Sequence, residues 1–378
     1  MSEYQYYEFQ AIDRPLTADE IRELRSYSSR ARITPTSFVN DYAWGRFKGD
    51  ADEWMERYFD AFLYLANWGA HVLKLRLPSK LIDPAIATWY CGGGSAFVRE
   101  KSGEVILSFV SEDEEGDDWV EGEGWLSSLL PIRSELARGD LRALYLGWLL
   151  RAQAGELDDE EVEPAVPHGL GELGASLESF AEFLRIDEDM LHVAAERSEP
   201  LSFLEMDRDE ACDWVSKIDS NEKDELITDL IVNADHGPVL ELLQRFLRQR
   251  DDDRGPRTAG RTVGQIRRAA KAYIAERRRI EAEERARDKA RRQRQAAVGR
   301  ERHLDGLVGR EGELWTKAAG LVATRQPKSY DRAVQLLVDL RDLFARSAKD
   351  DFKVRLEAFR QKHVRKPSFI ERLKKVGL

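Results

Sequence analysis

Cysteine is nearly absent: Cys91 and Cys212 are the only two in 378 residues. They lie far apart and form no C-x-x-C, so neither a disulfide framework nor a zinc knuckle is available. Long apolar runs are missing too. The densest, Ala61–Leu65 and Leu144–Leu150, fall far short of the roughly 20 residues a membrane helix needs. The opening MSEYQYYEFQ has neither the basic nor the apolar region of an export signal. These absences predict a cytoplasmic chain with no membrane span. None of the six histidines forms H-x-x-x-H or H-E-x-x-H, and neither G-x-S-x-G nor G-x-x-x-x-G-K-[ST] occurs. Metal hydrolysis, serine acyl transfer and nucleotide hydrolysis therefore have no local signature. The expectation is no metal, no cofactor and no recognisable catalytic residue.

What the sequence does have is charge, sorted by sign. The net charge is −11, but residues 254–378 carry 34 Lys+Arg against 16 Asp+Glu, or +18, which leaves −29 for residues 1–253. Such asymmetry implies that the C-terminal third meets something anionic: nucleic acid, or an acidic protein surface of this chain or of a partner.

Patterning predicts a mainly α chain with an N-terminal α+β domain, a long basic helix and a C-terminal helical bundle. In the first domain, 1–115, Tyr4–Ile12 reads as a strand, and Thr17 with Glu20 forms a capping box. Pro35 confines Ile33–Tyr42 to an edge or loop. Asp52–Trp68 reads as an amphipathic helix through Met55, Phe59, Phe62, Leu63 and Ala66, Val72–Leu77 as a strand, and Phe97–Arg99 with Val105–Val110 as a hairpin. An acidic all-α domain, 116–253, follows, with apolar stripes at Leu141–Leu150, Leu177–Leu184, Glu222–Val232 and Val239–Leu247 and breaks at Pro131, Glu156–Pro167, Pro200 and Gly237-Pro238. Beyond Asp251–Pro256, Thr262 and Gln265 cap a basic helix that fills the third segment, 254–303. The C-terminal module, 304–378, holds four helices: through Leu314 and Trp315; from Ser329 with Tyr330, Val334, Leu337 and Phe344 inward; through Phe352, Leu356 and Phe359; and from Pro367 to Val376.

Several motifs resolve into ordinary structure. Gly169-Leu170-Gly171-Glu172-Leu173-Gly174 fits G-x-G-x-x-G, but the dinucleotide fingerprint needs a hydrophobic strand before it, and Glu160–His168 is acidic and twice interrupted by proline. A linker entering a helix is the expectation. Glu112–Asp118 lacks the ligand order of a calcium loop and reads as a solvated acidic loop. Asp235-His236 reads as a helix terminus. Cys91-Gly92-Gly93-Gly94-Ser95 reads as a connection from a helix to a hairpin, although such loops can offer backbone N–H groups to anions.

The strongest functional signal is RRRIEAEERARDKARRQRQ, Arg277–Gln295. Three readings stand: a solvated spacer held by i,i+4 pairs of Glu281, Glu283, Glu284 and Asp288 with arginines, docking on an acidic protein surface, or nucleic-acid binding. Tyr273 is the lone aromatic of the basic helix, which argues against stacking on single-stranded bases.

Tyr7-Glu8-Phe9 with Asp13-Arg14-Pro15-Leu16, Ala31–Asn40 and Glu56–Ala61 together resemble a widespread, uncharacterised bacterial family. The end of the chain, Tyr330-Asp331 through His363-Val364-Arg365-Lys366-Pro367-Ser368-Phe369 to Gly377-Leu378, is similar to the tail that follows the metal site in bacterial SWIM zinc-finger proteins. This covers about fifty residues. The C-x-C…C-x-H ligands are absent, so zinc and the DNA role of such fingers do not carry over. The resemblance implies a shared docking tail.

The leading expectation is a non-enzymatic adaptor that binds a protein partner. Its contacts would come from Arg267, Arg268, Lys271, Arg277, Arg278, Arg279, Arg291 and Arg292 on the basic helix and from His363, Arg365 and Lys366 in the tail. The alternative is sequence-independent nucleic-acid binding through the same helix. A third is an enzyme whose site gathers distant N-terminal residues around Tyr58, Trp68 and Arg76. Nothing in the sequence sets an oligomeric state.

Overall fold

The computed structural model describes all residues except 1–3, 44, 46, 114–120, 202–207, 234–241, 244, 247, 248, 250–259 and 348–350, and omits the side chains of 229, 230, 232 and 233. Most of the acidic run 112–118, Asp235-His236, Gly237-Pro238, the 251–256 break and much of 239–247 lie outside the described residues. The chain divides into two units, Met1–Glu276 and Arg277–Leu378.

The first unit is built on a seven-stranded antiparallel sheet of order β2-β3-β1-β4-β5-β7-β6. Its elements are β1 (Gln5–Gln10), α1 (Ala18–Tyr27), β2 (Arg32–Ile33), β3 (Ser37–Tyr42), α2 (Ala51–Arg57), β4 (Ala61–Ala66), β5 (Ala70–Pro78), α3 (Pro84–Tyr90), β6 (Ala96–Lys101) and β7 (Glu104–Glu112). Thr17 and Glu20 make the expected reciprocal cap on α1. Pro35 falls in the turn between β2 and β3, where its carbonyl accepts the Leu16 N–H at 2.7 Å. The β6–β7 hairpin closes on Ser102-Gly103, both at positive φ (55° and 82°), the primed turn that matches strand twist.

The expected helix over Asp52–Trp68 is corrected. The helix stops at Arg57, and Ala61–Ala66 is β4, near the middle of the sheet. Both faces of β4 are covered: Phe62 packs with Phe9, Phe38, Trp54 and Phe59 under α1 and α2, while Leu63 and Leu65 join the core on the other side. A strand buried on both faces reads as an unbroken apolar run, and over so few residues that run is indistinguishable from a helical stripe.

On the second face lie α4 (Trp125–Leu129), α5 (Pro131–Ala137), α6 (Arg142–Gln153), α7 (Ala175–Phe183) and α8 (Glu188–Ala195). In place of the expected stripe on α6, every residue from Arg142 to Leu150 is buried, as befits a helix enclosed by a sheet and other helices. Gly147 permits this: a Cβ there would stand 2.7 Å from Phe109 Cε1 and 3.0 Å from Cys91 Sγ. The core thus draws on both sides of residue 115, and it also takes in Val263, Ile266 and Ala270. Two further helices, α9 (Arg208–Lys217) and α10 (Ser220–Asn233), follow α8 in sequence.

Helix α11 (Val263–Asp305), 43 residues long, runs from the first unit into the second. The second unit adds α12 (Glu311–Ala323), α13 (Pro327–Arg346), α14 (Asp351–Lys362) and α15 (Pro367–Lys375). Proline opens α13 and α15 at a position where a missing N–H costs nothing. Leu314, Ala318, Tyr330, Leu337, Leu340, Phe352, Leu356, Phe359 and Phe369 form a separate core. Among the described residues the chain is mainly helical, with its sheet in the N-terminal region. Among the described residues no helix is long and apolar enough to cross a membrane.

Candidate functional site

The basic helix begins in a hydrogen-bonded root. Thr262 N–H donates to Gln265 Oε1 (3.0 Å) and Gln265 N–H to Thr262 Oγ1 (3.3 Å), the expected capping box. A short bridge ties this start to the segment after α6: Glu163 N–H donates to Arg261 O (2.7 Å) and Val263 N–H to Glu161 O (2.9 Å). Beneath it, the Glu163 carboxylate is almost fully buried. It accepts two hydrogen bonds from Arg261, at 3.0 and 2.8 Å, and one from the Tyr145 hydroxyl at 2.5 Å. A buried carboxylate is tolerable only when its lone pairs are met in this way. Tyr273 stacks on His192 with centroids 4.1 Å apart, so the one aromatic of the helix is committed to the first unit.

Arg267, expected to meet a partner, instead reaches Asp159 (2.7 Å) and the carbonyls of Ala152 and Leu157 (2.7 and 3.2 Å), which makes it a strut of the first unit. Arg268 and Lys271 are exposed on the same root.

From residue 275 to residue 299 every side chain of α11 is exposed. This stretch holds Arg277, Arg278, Arg279, Arg291 and Arg292, together with Arg285, Arg287, Lys289 and Arg294, which lie in the same basic run but are not among the contact residues expected from the sequence. Intrahelical pairs support it: Arg285–Glu281 (2.8 Å), Arg287–Glu283 (3.8 Å) and Arg291–Asp288 (3.2 Å). Each contributes only a few tenths of a kcal/mol. The apolar residues that remain, Ile280 and Val298, are themselves exposed.

At its far end the helix is clasped by the second unit. Arg300 pairs with Asp339 and, at 2.6 Å, with Asp342; His303 Nε2 lies 3.0 Å from the Asp339 carboxylate, and Arg346 reaches Asp305 at 3.0 Å. Asp339 is buried, which pushes its carboxyl up, but hydrogen bonds from His303, Arg300 and Gln335 outweigh this and hold it below the usual aspartate range.

The tail residues divide. His363, expected to face a partner, is buried against Phe359 (4.7 Å) and near Phe369 (6.2 Å). Burial first, then Lys366 and Lys362, lower its affinity for a proton. The signal was in the sequence: Phe352, Leu356, Phe359 and His363 recur at helical spacing and share one face. Lys366 donates to the Val322 carbonyl at 2.6 Å, so it too is committed internally. Arg365 alone of the three is exposed.

The remaining motifs take structural roles. The Gly93–Ser95 loop does cradle an anion, but one of the chain's own. Gly94 N–H, Ser95 N–H and Ser95 Oγ donate to the Glu156 carboxylate at 2.6–2.9 Å. Burial raises that carboxyl, yet these bonds and Arg151 bring it below its ordinary value. Cys91 is fully buried, and burial pushes its thiol up to about 12, far from nucleophilic use. Gly169 takes a left-handed φ of 78° and Gly174 caps α7, with no strand ahead of them. Arg76 is spent on buried Asp60 (2.6 Å) and on the carbonyls of Met55 and Glu56. Asp60 also accepts the N–H groups of Ile12 and Asp13. Trp68 lies in the turn at the other end of the β4–β5 pair, so Tyr58, Trp68 and Arg76 do not converge. Comparison with known proteins finds no match: no family model, no curated protein and no solved structure.

Proposed function

We propose that this chain is a non-enzymatic cytoplasmic bacterial adaptor that docks a partner through its basic helix, with the C-terminal helices forming a small bundle that serves as a second contact module. The observation that carries this reading is the exposed run 275–299 of α11. Residues 277–299 carry nine Lys+Arg against four Asp+Glu, yet none of their side chains is buried in either core. A solvated spacer needs helix-forming residues but no excess of one sign, whereas a docking surface needs that excess to meet an anionic counterpart. In this second module Arg365 and the outer faces of α14 and α15 are the accessible part.

The test uses the full chain. Affinity capture from cells, with and without nuclease, is compared for the native protein and for a variant with Arg278, Arg285, Lys289, Arg292 and Arg294 changed to Gln. Glutamine keeps helix propensity, so circular dichroism should not change. Loss of a reproducible partner in the variant supports docking. The same captured set from both proteins overturns it.

A further inference from the structure

The charges of the exposed helix are arranged around its axis. At about 100° per residue, a strip centred on Ala286 holds Ala282, Ala290, Gln293, Ala297 and Arg279. One flank carries Arg278, Arg285, Lys289 and Arg292, with Glu281 at its rear edge, paired to Arg285 at 2.8 Å. The other carries Arg287 and Arg294, with Glu283 paired to Arg287, and, further round, Arg291, paired to Asp288. Glu281, Glu284 and Asp288 stand on the back with Arg277. From Arg278 to Arg294 the pattern extends roughly 24 Å along the helix, all of it exposed.

We propose that this face lies in the major groove of duplex DNA. The inference rests on the docking role of the helix and names its partner. A flat acidic protein surface is met by one cationic face. Two cationic rows divided by a strip that is alanine at 282, 286, 290 and 297 instead match a groove with a phosphate strand on each side. The major groove of B-form DNA, about 12 Å wide, admits a helix, whereas that of A-form RNA is too deep and narrow. Alanine lets the helix axis approach the floor, and Glu281, Glu284 and Asp288 lie on the side of the helix away from the strip, Glu281 and Asp288 being paired to Arg285 and Arg291. Arg279 and Gln293 stand on the strip itself, and both side-chain types can donate to base edges. Single strands are disfavoured because residues 277–299 contain no aromatic and Tyr273 is stacked on His192.

Fluorescence anisotropy of the full chain with a labelled mixed-sequence DNA duplex tests this. With about six phosphates neutralised, affinity should fall on the order of a thousandfold between 50 and 200 mM salt. Arg278→Gln/Arg285→Gln/Lys289→Gln, or Arg287→Gln/Arg291→Gln/Arg294→Gln on the other flank, should each flatten the log–log salt slope by about 3. Ala286→Glu should weaken binding at least about tenfold, since a carboxylate would then face the groove. Glu281→Gln/Glu284→Gln/Asp288→Asn should not weaken it. No binding at 50 mM salt, equal binding of duplex RNA or single strands, equal loss in the back-face control, or preference for polyglutamate would each overturn the proposal. If purified protein ignores DNA while the arginine variant still loses a captured protein, the docking role stands and the DNA assignment falls.

Discussion

Glu163 and Arg261, 98 positions apart, form a two-bond ion pair at 3.0 and 2.8 Å beneath the start of the basic helix. The carboxylate also holds the Tyr145 hydroxyl, and Arg261 donates to the Val193 carbonyl at 2.7 Å. Four segments of the first unit therefore meet at one buried charge.

Removing one partner of this pair would strand the other. Glu163→Ala should cost about 3–5 kcal/mol, read as a lower urea midpoint for the first unit. Glu163→Leu combined with Arg261→Met should recover most of that loss, because neither charge then remains to be solvated. A change within about 1 kcal/mol for Glu163→Ala would remove this pair from any role in fixing the helix root.

The clasp at the other end should respond to acid. Asp339 is held below the usual aspartate range in the folded chain, so the unfolded chain binds its proton first as pH falls. The contribution is fully present above the unfolded value of about 3.9 and is lost as pH drops through the lower folded value. Arg300, His303 and Gln335 all face this carboxylate. Asp339→Asn should destabilise 311–375 by about 2 kcal/mol at pH 7 and flatten the acid limb. Hydrogen exchange of α13 at graded pH would show whether it does; an unchanged acid limb would assign the effect elsewhere.

Two glycines in helices should behave oppositely. Gly147→Ala adds a methyl 2.7 Å from Phe109, and overpacking of about 1–3 kcal/mol should exceed the roughly 1 kcal/mol that alanine contributes to a helix. A Cβ at Gly299 would meet nothing within 4 Å, so Gly299→Ala should stabilise by up to about 1 kcal/mol. Denaturant melts of both variants would check the signs. Stabilisation by Gly147→Ala would mean that α6 can retreat from the sheet.

Much of the fold was legible where the signal is local. The Thr17–Glu20 and Thr262–Gln265 caps, the hairpin at Ser102-Gly103, and the inward faces of α12 to α15 all follow from residues a few positions apart. The failures share one cause. β4 and α6 are apolar on all sides because other elements enclose them, and nothing in their own few residues states what lies on each side. The candidate site divides in the same way. Excess positive charge along 277–299 is a property of the sequence; which arginines are committed elsewhere is not. Arg267 became a strut only because Asp159 and two carbonyls come within reach.

Helical periodicity and caps were therefore determined by the sequence alone, since each depends on neighbours within one or two turns, and the sorting of charge by sign follows from the order of residues whatever the fold. Which charges are buried and matched, Glu163 with Arg261, Asp60 with Arg76, Asp339 with Arg300, and which are left to solvent, was decided only by the tertiary structure. A charge is stabilised or stranded by what lies within a few ångströms of it, and those groups are set by chain segments dozens of residues away.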